Sequence, residues 1–182
     1  LYVGTEGLGY FVLENPGYSS GNQEGFQWRE FGMVEGLFDL NVIGFARQPL
    51  PNGTSELAIL HPDGLTFYDG RQFQKFSLGG QRLYTCIAGD SFGNLWLGSD
   101  GGLFLVTSVR TVKDYTSTNA HFESNRIHAV AVVAKPGAAQ PALWVACGDF
   151  PSAKDQTPNT KPCDCTGGVH RRHTVEADID GA

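Results

Sequence analysis

Charge is scarce in this 182-residue chain: charged side chains make up 18%, and 13 basic residues face 19 acidic ones. The net charge of −6 excludes a general phosphate-backbone binder, which needs a basic face, so no nucleic acid is expected as a partner. Long apolar runs are missing as well. No stretch approaches the roughly 18 uninterrupted apolar residues of a membrane helix, so no membrane segment is expected. Methionine occurs once, and the chain opens on Leu1 without a charged-then-apolar leader. That reads as a processed chain or a piece of a longer one. Four cysteines, Cys86, Cys147, Cys163 and Cys165, are too few for a disulfide scaffold at this size. One Asn-x-Thr sequon, Asn52-Gly53-Thr54, is too short a pattern to fix a compartment.

Catalytic signatures are also absent: there is no G-x-S-x-G elbow, H-E-x-x-H pair, Walker loop or dinucleotide fingerprint. Asp178 and Asp180 lie in a polar tail, and Glu24 and Asp63 in loops. The chain is therefore not expected to be an enzyme, and no cofactor is expected. A polysaccharide-cleaving enzyme would need two carboxylates facing each other at glycosidase separation, roughly 5 to 9.5 Å.

What is present is glycine, 24 residues of it, recurring beside short apolar runs in a chain that is 41% hydrophobic. Self-comparison shows why. Leu1-Tyr2-Val3-Gly4-Thr5 with Gly7-Leu8 returns as Leu95-Trp96-Leu97-Gly98-Ser99 with Gly102-Leu103. Leu143-Trp144-Val145-Ala146-Cys147 is a third copy, whose Gly168-Val169 follows an insertion; Leu57-Ala58-Ile59-Leu60-His61 with Gly64-Leu65 is a fainter one. A second short strand follows each glycine pair, then a segment ending in an aromatic: Trp28 to Phe31, Phe73 to Phe76, Val112 to Tyr115. A further apolar strand opens the next unit, at Val42 to Ala46, Leu83 to Ala88 and Ile127 to Val133. Each run is a few residues long and bounded by Gly, Asn, Asp or Pro, and none holds a 3.6-residue apolar period. The fold class is all-β, with four short strands per unit.

The unit has the length of a propeller blade, roughly 40 to 50 residues. A four-stranded blade cannot bury both faces alone; stacking blades about an axis buries them. Repeat segments of approximately 1–41, 42–82, 83–126 and 127–182 then form one array. The first unit lacks its opening strand and the last ends in a short strand near Val175, so the expectation is a partial ring of about three and a half blades.

Asp90-Ser91-Phe92-Gly93-Asn94-Leu95-Trp96-Leu97-Gly98-Ser99, with Gly102-Leu103, closely resembles the repeat of two-component-regulator propellers, D-x-x-G-N-L-W-(I/V/L)-G-T-x-x-G-L. Gly64-Leu65-Thr66-Phe67-Tyr68-Asp69-Gly70-Arg71-Gln72-Phe73 is similar to that family's G-L-x-x-Y-D-G-x-x-F, and Asn125-Arg126-Ile127 to its N-x-I step. The resemblance covers nearly the whole chain except residues 14–25 and 149–166. It departs at Leu57-Ala58, where Trp is missing, and at Cys147, where Thr is missing. It implies a periplasmic or extracellular, ligand-responsive module that recognises and does not catalyse.

Repeat equivalence assigns Tyr2, Trp96 and Trp144 to packing between blades, and the Asp90 turn to folding. Asn41, Arg82 and Arg126 each stand just before a channel-lining strand. Two arginines converging at the channel mouth would suit a carboxylate, sulfate or phosphate, and these three are the candidate ligand-binding residues. The partner expected is a small-molecule or glycan ligand, or a protein completing the propeller. Cys163, Cys165, His170 and His173 are the candidate zinc ligands, but their spacing departs from zinc patterns and both histidines fall at ordinary strand positions, so no metal is expected. A disulfide from Cys147 to Cys163 or Cys165 would close the base of the Gly148 to Gly167 insertion in an oxidising compartment.

Overall fold

The computed structural model describes residues 1–14, 27–80, 82–120, 122–133 and 141–148. They form thirteen strands and no helix, in four antiparallel sheets. The first sheet has the order β1-β2-β3, from Tyr2–Gly4, Tyr10–Glu14 and Gln27–Phe31. The second is β4-β5-β6-β7, from Gly44–Pro49, Ser55–Leu60, Gly64–Tyr68 and Phe73–Ser77. The third is β8-β9-β10-β11, from Tyr84–Gly89, Leu95–Ser99, Gly102–Val106 and Val112–Tyr115. The fourth pairs β12, Ile127–Val133, with β13, Ala142–Cys147. In every sheet the strands pair antiparallel with their neighbours in sequence order.

Each expected strand within the described residues is present; the strands expected after Gly168 and near Val175 lie outside them. Two details differ from the sequence reading. The glycine equivalent to Gly64 and Gly102 is Gly9, not Gly7, because a Cβ at any of the three would run into the carbonyl of the outer neighbouring strand, at Phe31, Phe76 or Tyr115. The first turn is one residue longer than Ser99-Asp100-Gly101-Gly102, so Tyr10 takes the buried slot and Leu8 is left 59% exposed. The second sheet begins at Gly44, not Val42, because the Val42 amide is already given to the Thr5 carbonyl of the first sheet at 2.9 Å.

The sheets stack face to face in chain order. Tyr10, Phe31, Leu37 and Ile59 fill the first junction. Ala58, Leu60, Leu65 and Phe67 of the second sheet meet Tyr84, Leu95, Leu97, Phe104 and Val106 of the third. Trp96 and Leu103 meet Ile127 and Leu143 across the next junction. The leading strands touch as well, β4 against β8 and β8 against β12. Gly98 permits this approach: a Cβ there would stand 2.8 Å from the Ile127 side chain. Strand β9 is buried along its whole length because both faces are covered, whereas outer strands β7 and β11 are mostly exposed. The described sheets form an open stack, not a closed ring.

Candidate functional site

Two kinds of polar arrangement interrupt this apolar stack: braces between strands, and open hollows at strand ends. The braces are built first from Asp90. Its Oδ1 accepts the amides of Phe92 and Asn94, both at 2.9 Å, and its Oδ2 accepts Asn94 Nδ2 at 2.9 Å and Trp96 Nε1 at 3.2 Å. One carboxylate thus holds the turn and also orients the indole that packs against Tyr115 and the fourth sheet. That is the folding role expected of the turn. Tyr2 likewise packs toward the next sheet, 5.8 Å from Phe45. Trp144, at the equivalent position, is 40% exposed.

A second brace crosses from the third sheet to the second. Arg110 sits at φ 67°, a left-handed conformation rare for a side-chain-bearing residue. Its guanidinium lies 3.3 Å over the Phe67 ring, donates to Gln48 Oε1 at 2.6 Å and pairs with Glu56. Gln48, fully buried, then donates to the Gly93 carbonyl at 2.7 Å. Sequence reasoning missed this network. Arg110 lies 62 residues from Gln48 and 54 from Glu56, so no local sequence pattern marks the network.

The predicted mouth residues have different surroundings. Arg126 lines a hollow of about 430 Å³ with Leu83, Asp100, Ser124 and Asn125. Its backbone is held on both sides: its amide donates to Ser124 Oγ at 3.1 Å, and its carbonyl accepts from Gly148 at 3.1 Å. Asp100 and Leu83 exchange two bonds, Leu83 N–H to Asp100 Oδ1 at 3.0 Å and Asp100 N–H to the Leu83 carbonyl at 3.1 Å. The Arg126 side chain is exposed, on a frame fixed by main-chain bonds. Arg82 instead lays its guanidinium over the Phe104 ring of its own sheet, 4.5 Å from the centroid. Asn41 gives its amide to Asp39 Oδ1 at 2.6 Å and its carbonyl to His61 Nδ1 at 2.9 Å. The hollow therefore joins one arginine to one carboxylate and two small polar side chains, a set that suits a polar ligand with both donors and an anionic acceptor.

A larger hollow of about 520 Å³ lies between the first two sheets, lined by Arg29, Phe31, Glu35, Tyr68, Arg71, Gln72 and Phe73. Its apolar wall is the stacked pair Tyr68 and Phe73, 4.3 Å apart, and Arg29 lies over Phe31 at 4.6 Å. Both hollows are wide open to solvent.

Among the described residues no group of three or more His, Cys, Asp or Glu is placed to hold a metal ion. Cys163, Cys165, His170 and His173 lie outside the described residues, and so does the partner of the expected Cys147 disulfide; Cys147 itself ends β13, half-buried. Among the described residues no helix is long and apolar enough to cross a membrane.

No protein-family model matches the chain, and no curated protein matches it either. A solved structure does: PorZ, described as an essential bacterial surface component of the type-IX secretion system of Porphyromonas gingivalis, with a TM-score of 0.55. At 14% identity, over 79% of this chain, the likeness concerns the fold alone. The chain spans 22% of the length of that protein.

Proposed function

We propose that the chain is a segment of a β-propeller of the two-component-regulator type, a non-catalytic recognition module whose ligand enters beside Arg126, where β8 and β12 begin. The face-to-face stack of meander sheets, with leading strand against leading strand, supports the propeller reading. The observation that carries the ligand reading is the exposed Arg126 on its immobilised backbone, beside Asp100 and Asn125. A pre-set frame reduces the ordering cost that binding incurs. An extracytoplasmic location agrees with PorZ being a surface component. Thermal-shift and calorimetric screening of small carboxylates, sulfate, phosphate and neutral or acidic glycans tests it. A saturable rise in melting temperature that Arg126→Ala removes is expected; silence across both classes overturns the ligand reading.

A second reading, a structural subunit that holds other sheets of the same kind, is favoured by one observation. Leu1 and Val3 of the first sheet are 72% and 40% exposed, while Leu95 and Leu97 at the matching positions are fully buried by the neighbouring sheet. A monodisperse monomer in light scattering argues against this reading.

A further inference from the structure

The turn that joins β1 to β2, β5 to β6 and β9 to β10 is closed in one way by the first and third sheets and in another by the second. In the first sheet the Thr5 hydroxyl donates to the Gly9 carbonyl at 2.8 Å, and in the third the Ser99 hydroxyl donates to the Gly102 carbonyl at 3.0 Å. Both bonds are local. The second sheet has His61 at this position, fully buried, and its ring bonds outward. Nδ1 lies 2.9 Å from the Asn41 carbonyl and Nε2 lies 2.9 Å from Thr66 Oγ1. Thr66 in turn accepts the Phe38 amide at 2.8 Å, and the Phe38 ring stacks over the imidazole at 6.2 Å. Phe38 and Asn41 both belong to the crossover from the first sheet to the second.

These partners dictate the proton positions. A carbonyl only accepts, so Nδ1 must carry a proton. The Thr66 oxygen already receives the Phe38 amide, which leaves its own O–H to donate to a bare Nε2. Every donor and acceptor is then satisfied by the neutral Nδ1–H imidazole. A second ring proton, on Nε2, would face the Thr66 hydroxyl proton and force that hydroxyl to seek another acceptor in a buried site, which is costly.

We propose that His61 is a pH-sensitive latch that pins the crossover between the first two sheets when its ring is neutral and releases it when the ring is charged. Burial lowers the His61 pKa below the ordinary value of 6.5, as the charged ring is poorly solvated there. Its bond to the Asn41 carbonyl and the charge of Asp39 in the crossover act in the opposite direction, while Lys75 of β7 reinforces the lowering. The unfolded chain therefore takes up a proton before the folded one does. The latch contributes its full stability above the unfolded value, and that contribution is lost as pH falls below it until the folded ring itself titrates.

The test has two arms on the full chain. Long-range nitrogen–proton NMR near neutral pH reads the His61 tautomer: Nδ1–H is expected, and Nε2–H overturns the proposal. Melting temperature and Phe38 amide exchange are then followed from about pH 7 to about pH 5, a window in which imidazole changes charge. The wild type is compared with His61→Ser, which restores the side chain of the third sheet. A fall in melting temperature and in Phe38 protection that is steeper in the wild type than in His61→Ser is expected; equal slopes overturn the latch. Should His61→Ser not fold, the pH course of Phe38 protection in the wild type decides, and a flat course overturns it.

Discussion

Leu95 and Leu97 of the third sheet are fully buried, whereas Leu1 and Val3, at the same positions of the repeat in the first sheet, are 72% and 40% exposed. The chemistry of the two pairs is nearly the same. The difference is the neighbour: Leu60, Leu65 and Phe67 of the second sheet cover the third, and no described sheet covers that face of the first. A repeat thus specifies an apolar position, but its worth in free energy depends on the sheet packed over it. Fully burying such a side chain stabilises by about 1.5–3 kcal/mol relative to leaving it in water.

The sharpest way to break this comparison is truncation. Leu97→Ala should cost about 2–5 kcal/mol, as lost transfer energy and a cavity between two sheets add together. Urea unfolding reads it, and a cost below about 1 kcal/mol would show that the junction collapses around the gap.

Arg110→Ala comes next, with an expected cost of about 2–4 kcal/mol. It leaves the 7%-exposed Glu56 carboxylate without its cation and Gln48 Oε1 without its donor. Unfolding of Arg110→Ala and of the Arg110→Ala/Glu56→Gln pair separates the stranded charge from lost packing on Phe67: partial recovery in the double variant is expected, and no recovery assigns the whole cost to packing.

The smallest effect is expected on the open face. Val3→Ala should change stability by no more than about 0.5 kcal/mol in the isolated chain, the usual range for surface changes. A cost approaching that of Leu97→Ala would mean that another sheet already covers Val3 in solution, and would favour the structural reading over the open stack.

Much of the fold was legible because the repeat displays its own physics. Alternating apolar residues bounded by Gly and Asp located each described strand, and the Asp90-x-x-Gly93-Asn94 spacing foretold a turn that the carboxylate now holds with four donors. The register of the first sheet was misread by two residues. A Gly-Leu pair at Gly7 looked like the repeat, but only Gly9 lies where the Phe31 carbonyl excludes a Cβ. The candidate site was less legible. Repeat position placed Asn41, Arg82 and Arg126 before their strands, yet the three have different surroundings: the Arg82 side chain lies on the Phe104 ring, Arg126 lines a hollow, and the Asn41 main chain bonds the side chains of Asp39 and His61.

The sequence by itself determined the all-β class, the strand order and the positions that must be apolar, since those follow from local alternation and turn chemistry. Only the tertiary structure decided which of those positions are buried and which polar groups brace the sheets. Arg110 is 62 residues from Gln48 and 54 from Glu56, and Phe38 is 28 from Thr66; these groups come together only when sheets and loops pack. Burial and hydrogen bonding of this kind are properties of neighbours in space, and no local pattern encodes them. The apolar face of the first sheet is the plainest instance: Leu1 and Val3 repeat the apolar pattern of Leu95 and Leu97, and their exposure is set by what packs against them.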